Sequence, residues 1–242
     1  NVVFRLDGDN SWLHDRAAAR DIVARRWDNS PLGICLLTGD TAPVARLHPS
    51  IKGVWDAQTS GASIVSFNID AFESYGKKQG ANAPVSQAAA DAYVRALNEL
   101  LAQGSRRRVQ IADTSTVFWA ARDAPLEDAF FGMLFEDGEA VPEVPGLDSS
   151  ETAKLRGTIE QLGKGRPLQE VDPGLDPDVR YYVLGLAPNA ARISIRFWHT
   201  DTLGVLAERF RRHWQDLHIE PTRLQRPPAL WRLLRETAVE KK

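Results

Sequence analysis

The chain has 242 residues, 43% of them apolar and 26% charged, with a net charge of −2 at pH 7. That length buries roughly 70–75% of the unfolded surface, so no covalent staple is required, and the apolar fraction excludes a disordered tract. A lone Cys35 excludes an internal disulfide, and no apolar run reaches the ~20 residues that span a bilayer. With no signal peptide visible, the expectation is a cytoplasmic protein. The chain starts in a strand-like pattern, Asn1-Val2-Val3-Phe4, and carries one methionine, Met133, which reads as a piece of a longer protein.

The first elements are a strand over Val2–Leu6 and a helix from Asp9 or Asn10 to about Trp27. Trp12, Leu13, Ile22, Val23 and Trp27 form the helix's expected buried stripe. The segments 32–40 (LGICLLTGD) and 61–68 (GASIVSFN) read as buried strands. Asn68 is a candidate cap for a short helix over 69–75, with Gly76 as its left-handed stop. Residues 77–82 read as loop, and Pro84 delays the next helix until Ser86, which caps QAAADAYVRALNELLA ahead of Gly104.

The stretch 107–121 reads as two strands joined at Asp113-Thr114-Ser115, followed by a short helix over 125–133. Residues 150–162 are helical in pattern. A strand–turn–strand follows over 181–199, with Pro188 and Asn189 in the turn. Helices over about 201–217 and from about Pro228 complete the chain. Strands and helices without regular βαβ alternation predict an α+β fold of mixed, mostly antiparallel strands with flanking helices. The expected organisation is a core over 1–135, an acidic Pro-rich linker over 136–150, and a continuation over 151–242 with the strand hairpin and terminal helices.

Charge is segregated along the chain. Residues 123–151 hold nine acids and no Lys or Arg, which leaves 30 basic against 23 acidic residues elsewhere. A basic surface is therefore compatible with an acidic total.

No catalytic or cofactor signature emerges. DGDNSW (7–12) starts like a calcium loop but has Trp12 and Ala18 where that loop needs Gly and Glu. His14, His48, His199, His213 and His218 lack ligand spacing, so no metal site is expected. There is no G-x-S-x-G, and LGKGRP (162–167) fails the phosphate-loop pattern. The expectation is a non-enzyme without cofactor.

Nucleic-acid binding leaves weaker traces. Arg106, Arg107 and Arg108 form a basic run where a helix yields to a strand; a solvated strand start explains them as readily. In RISIRFW, alternation sets Ile193, Ile195 and Phe197 on one face, with Arg192, Ser194, Arg196 and Trp198 on the other. Such a face pairs phosphates and stacks bases, or is packed under a helix. Two turn-rich loops add Arg46, His48, Lys52 and Gln58, then Lys77, Lys78, Gln79 and Asn82, where a plain structural loop is an equal reading.

The strings LHPSIKGV (47–54), SGASIVSFNIDAFESYGKKQGANAPVS (60–86), ALNELL (96–101), TVFWA (116–120) and YYVLGLAPNAARISIRFW (181–198) resemble the CRISPR-associated Csd-type family. That family supplies the large subunit of the subtype I-C Cascade surveillance complex. The resemblance implies a non-catalytic subunit that contacts target DNA, its protospacer-adjacent motif and the displaced strand while guide RNA reads the sequence. Implied partners are the guide-RNA-bearing backbone subunits and the system's helicase–nuclease. Family members are longer, so terminal regions are expected to be missing here.

Overall fold

The structure, a computed structural model, describes residues 3–8, 11–25, 30–135, 148–218, 228 and 230–237. It is an α+β protein, with two antiparallel sheets among the described residues. Two compact units divide it: Asn1–Ile51 with Ser63–Leu97, and Lys52–Ala62 with Asn98–Lys242.

The first unit holds helix α1 (Ala17–Arg25), strands β1 (Leu32–Ile34) and β2 (Thr41–Pro43), and helix α2 (Gln87–Leu100) as far as Leu97. The expected first strand is reduced, within the described residues, to a bridge between Arg5 and Trp12. Val2, Asp9, Asn10 and Trp27 lie outside those residues. The expected long helix is a 3-10 turn at Leu13–Asp15 followed by α1, and Trp12, Leu13 and Ile22 of its stripe are exposed. The segment 32–40 is likewise not a buried strand. Only Cys35 is enclosed, while Leu32, Ile34, Leu36 and Leu37 face out. A two-stranded ribbon has a single covered face at most, so apolar runs in it stay wet.

Residues 61–68 form no named strand, because no neighbouring edge pairs with them along their length. Ser86 does cap α2: its Oγ accepts from the Ala89 amide at 3.2 Å. Its own amide donates to Cys35 Sγ at 3.2 Å, tying the helix start to the small core of Cys35, Ala45, Val85 and Ala90.

The second unit is a four-stranded sheet in sequence order, β3 (Arg108–Ile111), β4 (Thr114–Ala120), β5 (Arg180–Asn189) and β6 (Arg192–Thr202). Its helices are α3 (Pro125–Met133), α4 (Ser149–Gly163), α5 (Leu168–Val171), α6 (Leu203–Asp216) and α7 (Leu230–Thr237). Of the expected linker 136–150, residues 136–147 lie outside the description and Ser149 already starts α4. Asp148 caps that helix through the Glu151 amide at 2.8 Å, and Glu151 returns a bond to the Asp148 amide. The hydrogen bond donated by the Glu151 backbone amide holds the Asp148 carboxyl below its ordinary range.

One sheet face and the helices share the main core. Phe118, Tyr181 and Val183 meet Phe130 and Phe131 of α3, Leu155, Ile159 and Leu162 of α4, and Leu203, Leu206 and Ala207 of α6. The Phe131 ring lies 4.8 Å from both Phe118 and Tyr181. Burying such rings contributes roughly 1.5–3 kcal/mol each. The Tyr181 hydroxyl donates to Asp128 at 2.9 Å; burial first, then the Asp128 charge, push its phenol far above the ordinary range.

The β5–β6 hairpin corrects two expectations. Its turn is Ala190-Ala191, with Ala190 at φ +53°, and Pro188 lies in the ladder opposite Ile193. A bulge leaves Arg196 unpaired in the ladder, since Ile195 faces Leu186 while Phe197 faces Gly185. The extra residue reverses the alternation beyond it. Trp198 therefore shares the face of Ile193 and Ile195, whereas Arg192, Ser194 and Phe197 share the other.

The Phe197 ring lies where a Cβ on Gly185 would stand, at 2.5 Å. Gly185→Ala should therefore lower the unfolding free energy by about 1–3 kcal/mol in chemical denaturation, the usual cost of overpacking. An unchanged midpoint would contradict the Gly185–Phe197 packing.

Candidate nucleic-acid interface

In the first unit, residues 74–82 form a loop closed by one side chain. Asn82 Oδ1 accepts from the Ser74 amide at 3.1 Å, and Nδ2 donates to the Lys77 and Gln79 carbonyls at 3.0 Å each. A non-regular loop has backbone groups to satisfy, and a short amide side chain satisfies three of them here. The expected 69–75 helix is only a 3-10 turn at Asp70–Phe72, yet Gly76 does take its left-handed conformation. A second 3-10 turn covers Gln79–Asn82.

A second interaction ties this loop to the 44–51 segment. Arg46 donates to Gln79 Oε1 at 2.7 Å, and the Gly80 amide donates to the Arg46 carbonyl at 3.0 Å. At Gly80 a Cβ would stand 2.0 Å from the Ala45 carbonyl oxygen, so no other residue permits this approach. The segment is anchored in turn by His48, whose Nδ1 lies 2.6 Å from the Tyr93 hydroxyl of α2. Burial lowers the His48 pKa and pushes Tyr93 up to about 12.

What the loop presents outward follows from what it uses inward. Lys77 and Lys78 are exposed beside Tyr75, which is 99% exposed at φ +53°. The structure thus brings Arg46, Lys77, Lys78, Gln79 and Asn82 together. Asn82 and the Arg46–Gln79 pair shape the loop, and the two lysines are left facing solvent. Sequence reasoning missed Tyr75; an aromatic directly before a Gly-Lys-Lys turn was the available signal.

The remaining candidates belong to the second unit. Lys52 and Gln58 lie on the 52–62 segment, Lys52 exposed, and the segment is held by the Lys52 amide on Asn98 at 2.7 Å and the Trp55 amide on Ser115 Oγ at 2.9 Å. Three arginines have structural partners. Arg107 pairs with Asp128 at 2.5 Å, Arg108 donates to the Leu101 carbonyl at 3.0 Å, and Arg196 pairs with Asp113 at 3.0 Å. Arg106 and Arg108 border a cleft of about 430 Å³ that Phe118 and Phe135 also line. Arg192 is half-buried on the strand face opposite Trp198. The run 106–108 is consequently more a set of braces than a free patch.

Among the described residues, no three His, Cys, Asp or Glu side chains gather as metal ligands, and no helix is long and apolar enough to cross a membrane. Fold and surface together define an α+β protein that displays a braced basic and aromatic loop. The chain belongs to the CRISPR-associated protein family Csd1 (Cas_Csd1), whose family model matches residues 1–242. No curated protein matches it.

Two measurements check this geometry. Asn82→Ala should free the loop, so limited trypsin digestion should cleave after Lys77 and Lys78 several-fold faster while cuts elsewhere keep their rates. Equal rates at the loop would show that Asn82 does not brace it. For His48 the folded pKa is the lower one, so below about pH 6.5 the unfolded chain takes up a proton that the folded chain refuses. Stability present at pH 7 is thus lost as pH falls below about 6.5. His48→Gln should flatten that part of the stability profile, and an unchanged slope would contradict it.

Proposed function

We propose that this chain is part of the non-catalytic large subunit of an RNA-guided type I-C Cascade complex and that its 74–82 loop touches target DNA. Membership of a CRISPR-associated family sets the setting. The observation that carries the reading is the loop itself, in which Asn82 fixes the backbone while Lys77, Lys78 and Tyr75 stay exposed. A lysine is a compact cation that suits a phosphate, and a pre-ordered loop loses little entropy on binding.

In this reading the guide RNA selects the sequence. The large subunit contributes duplex binding, recognition of the protospacer-adjacent motif, hold on the displaced strand and recruitment of the helicase–nuclease, all in the cytoplasm. Backbone subunits carrying the guide RNA, that nuclease and target DNA are its partners.

A second reading, a protein scaffold that does not touch DNA, is favoured by one feature. Leu32, Ile34, Leu36 and Leu37 are each more than 60% exposed on one short ribbon. Contiguous exposed apolar groups mark docking surfaces.

The deciding experiment uses the assembled complex and a matched duplex across a salt series. Lys77→Ala with Lys78→Ala should weaken binding and reduce the slope of log affinity against log salt by about 1.8, at ~0.9 for each phosphate that the variant no longer neutralises. Unchanged affinity and slope, together with failure of the complex to assemble in Leu36→Glu, would favour the scaffold reading.

A further inference from the structure

The bulge at Arg196 builds a surface that strict alternation along the strand does not. On the sheet face turned away from Phe118, Tyr181 and Val183, β4 contributes Trp119, β5 Tyr182 and β6 Trp198. Their ring centroids are mutually 5.6 Å apart, and Trp119 with Tyr182 lies only 28° from parallel. Trp198 is 49% exposed and its neighbour Ile195 54%, while Trp119 and Tyr182 are half-buried, so the cluster opens to solvent on its Trp198 side.

The strands place charge of one sign on this face. The pairing register places Arg108 and Arg180 on it with the three rings, among apolar and hydroxyl side chains and the amide of Gln110, and no Asp or Glu of the four strands. Arg180 is exposed and stands two residues before Tyr182; Arg196 sits at the bulge two residues before Trp198. The Arg196–Asp113 pair is itself exposed, and pairs of that kind contribute little in water, so a phosphate can compete for Arg196. Tyr182 lies 28° from Trp119 and 32° from Trp198, with the two tryptophans 59° apart, and rings that follow Arg180 and Arg196 along the strands suit a ligand that alternates flat rings with anionic links.

We propose that the Trp119–Tyr182–Trp198 cluster is a stacking site for an unpaired nucleic-acid strand, with Arg180 and Arg196 set for the flanking phosphates. It deepens the reading above by naming a separate single-strand site, and it rests on that reading only for the nucleic-acid setting. Base–aromatic stacking tolerates any sequence because every base has a π-face. A sheet face that stacks bases also selects unpaired strands, since paired bases hide their faces.

The test uses the full chain in its assembled complex, with fluorescein-labelled dT15, rU15 and a matched duplex as probes read by anisotropy. Trp198→Ala should weaken binding of the preferred 15-mer by about five- to a hundredfold and leave the duplex nearly unaffected. Trp198→Phe, which keeps a ring, should recover most of the affinity, and this separates stacking from misfolding. Comparison of dT15 with rU15 tells a DNA source from an RNA source, and binding of either that Trp198→Ala weakens supports the site. Wild-type affinity for both 15-mers in Trp198→Ala overturns it, as does departure of a protein subunit from the complex with strand binding intact. The Lys77 and Lys78 double variant separates the two claims: wild-type duplex binding there sinks the loop's role alone.

Discussion

Asn82 has one amide, and both ends of it are used inside its own loop. Its oxygen takes the Ser74 amide, and its nitrogen serves two carbonyls. That closure, with the Arg46 bond to Gln79 and the tight approach of Gly80 to Ala45, sets which groups remain for a partner. Polar residues in a loop are commonly taken as ligands by default. Here the demand of the backbone for hydrogen bonds sorts them into braces and solvent-facing groups, and the proposed DNA contact depends on that sorting.

A second constraint acts in the sheet. Strand β5 is buried on both faces along Val183–Ala187, so its neighbours must commit each side chain to one face or the other. Gly185 admits the Phe197 ring over its backbone, and the bulge beside it turns Trp198 to the open face. Salt bridges obey the same rule. Asp128 is nearly buried and takes both Arg107 and the Tyr181 hydroxyl, which converts an apparent binding cation into part of the framework.

Local signals were legible where they acted alone. The short helix over 125–133 was read as α3, Ser86 marked the start of α2, and the strand patterns over 107–121 and 181–199 marked the hairpins. Tertiary choices were not. Pro188-Asn189 is the better turn by composition, yet cross-strand packing moves the turn to Ala190-Ala191, where an alanine accepts positive φ. A bulge at an arginine leaves no trace in residue type, so the two faces of β6 were misassigned. The apolar run 32–37 promised burial, but the ribbon has too few strands to supply it. Of the candidate binding residues, position in a loop was readable. Whether each cation is already engaged depends on partners far away in sequence, such as Asp128 for Arg107 and Asp113 for Arg196.

Lysine footprinting on the assembled complex tests the central claim most directly. Acetylating reagent would be applied with and without matched duplex, and modification read at each lysine by mass spectrometry. The expected result is that duplex shields Lys77 and Lys78 strongly while Lys154, engaged with Asp172 on the second unit, keeps its reactivity. Equal modification of Lys77 and Lys78 with and without a saturating duplex would contradict it.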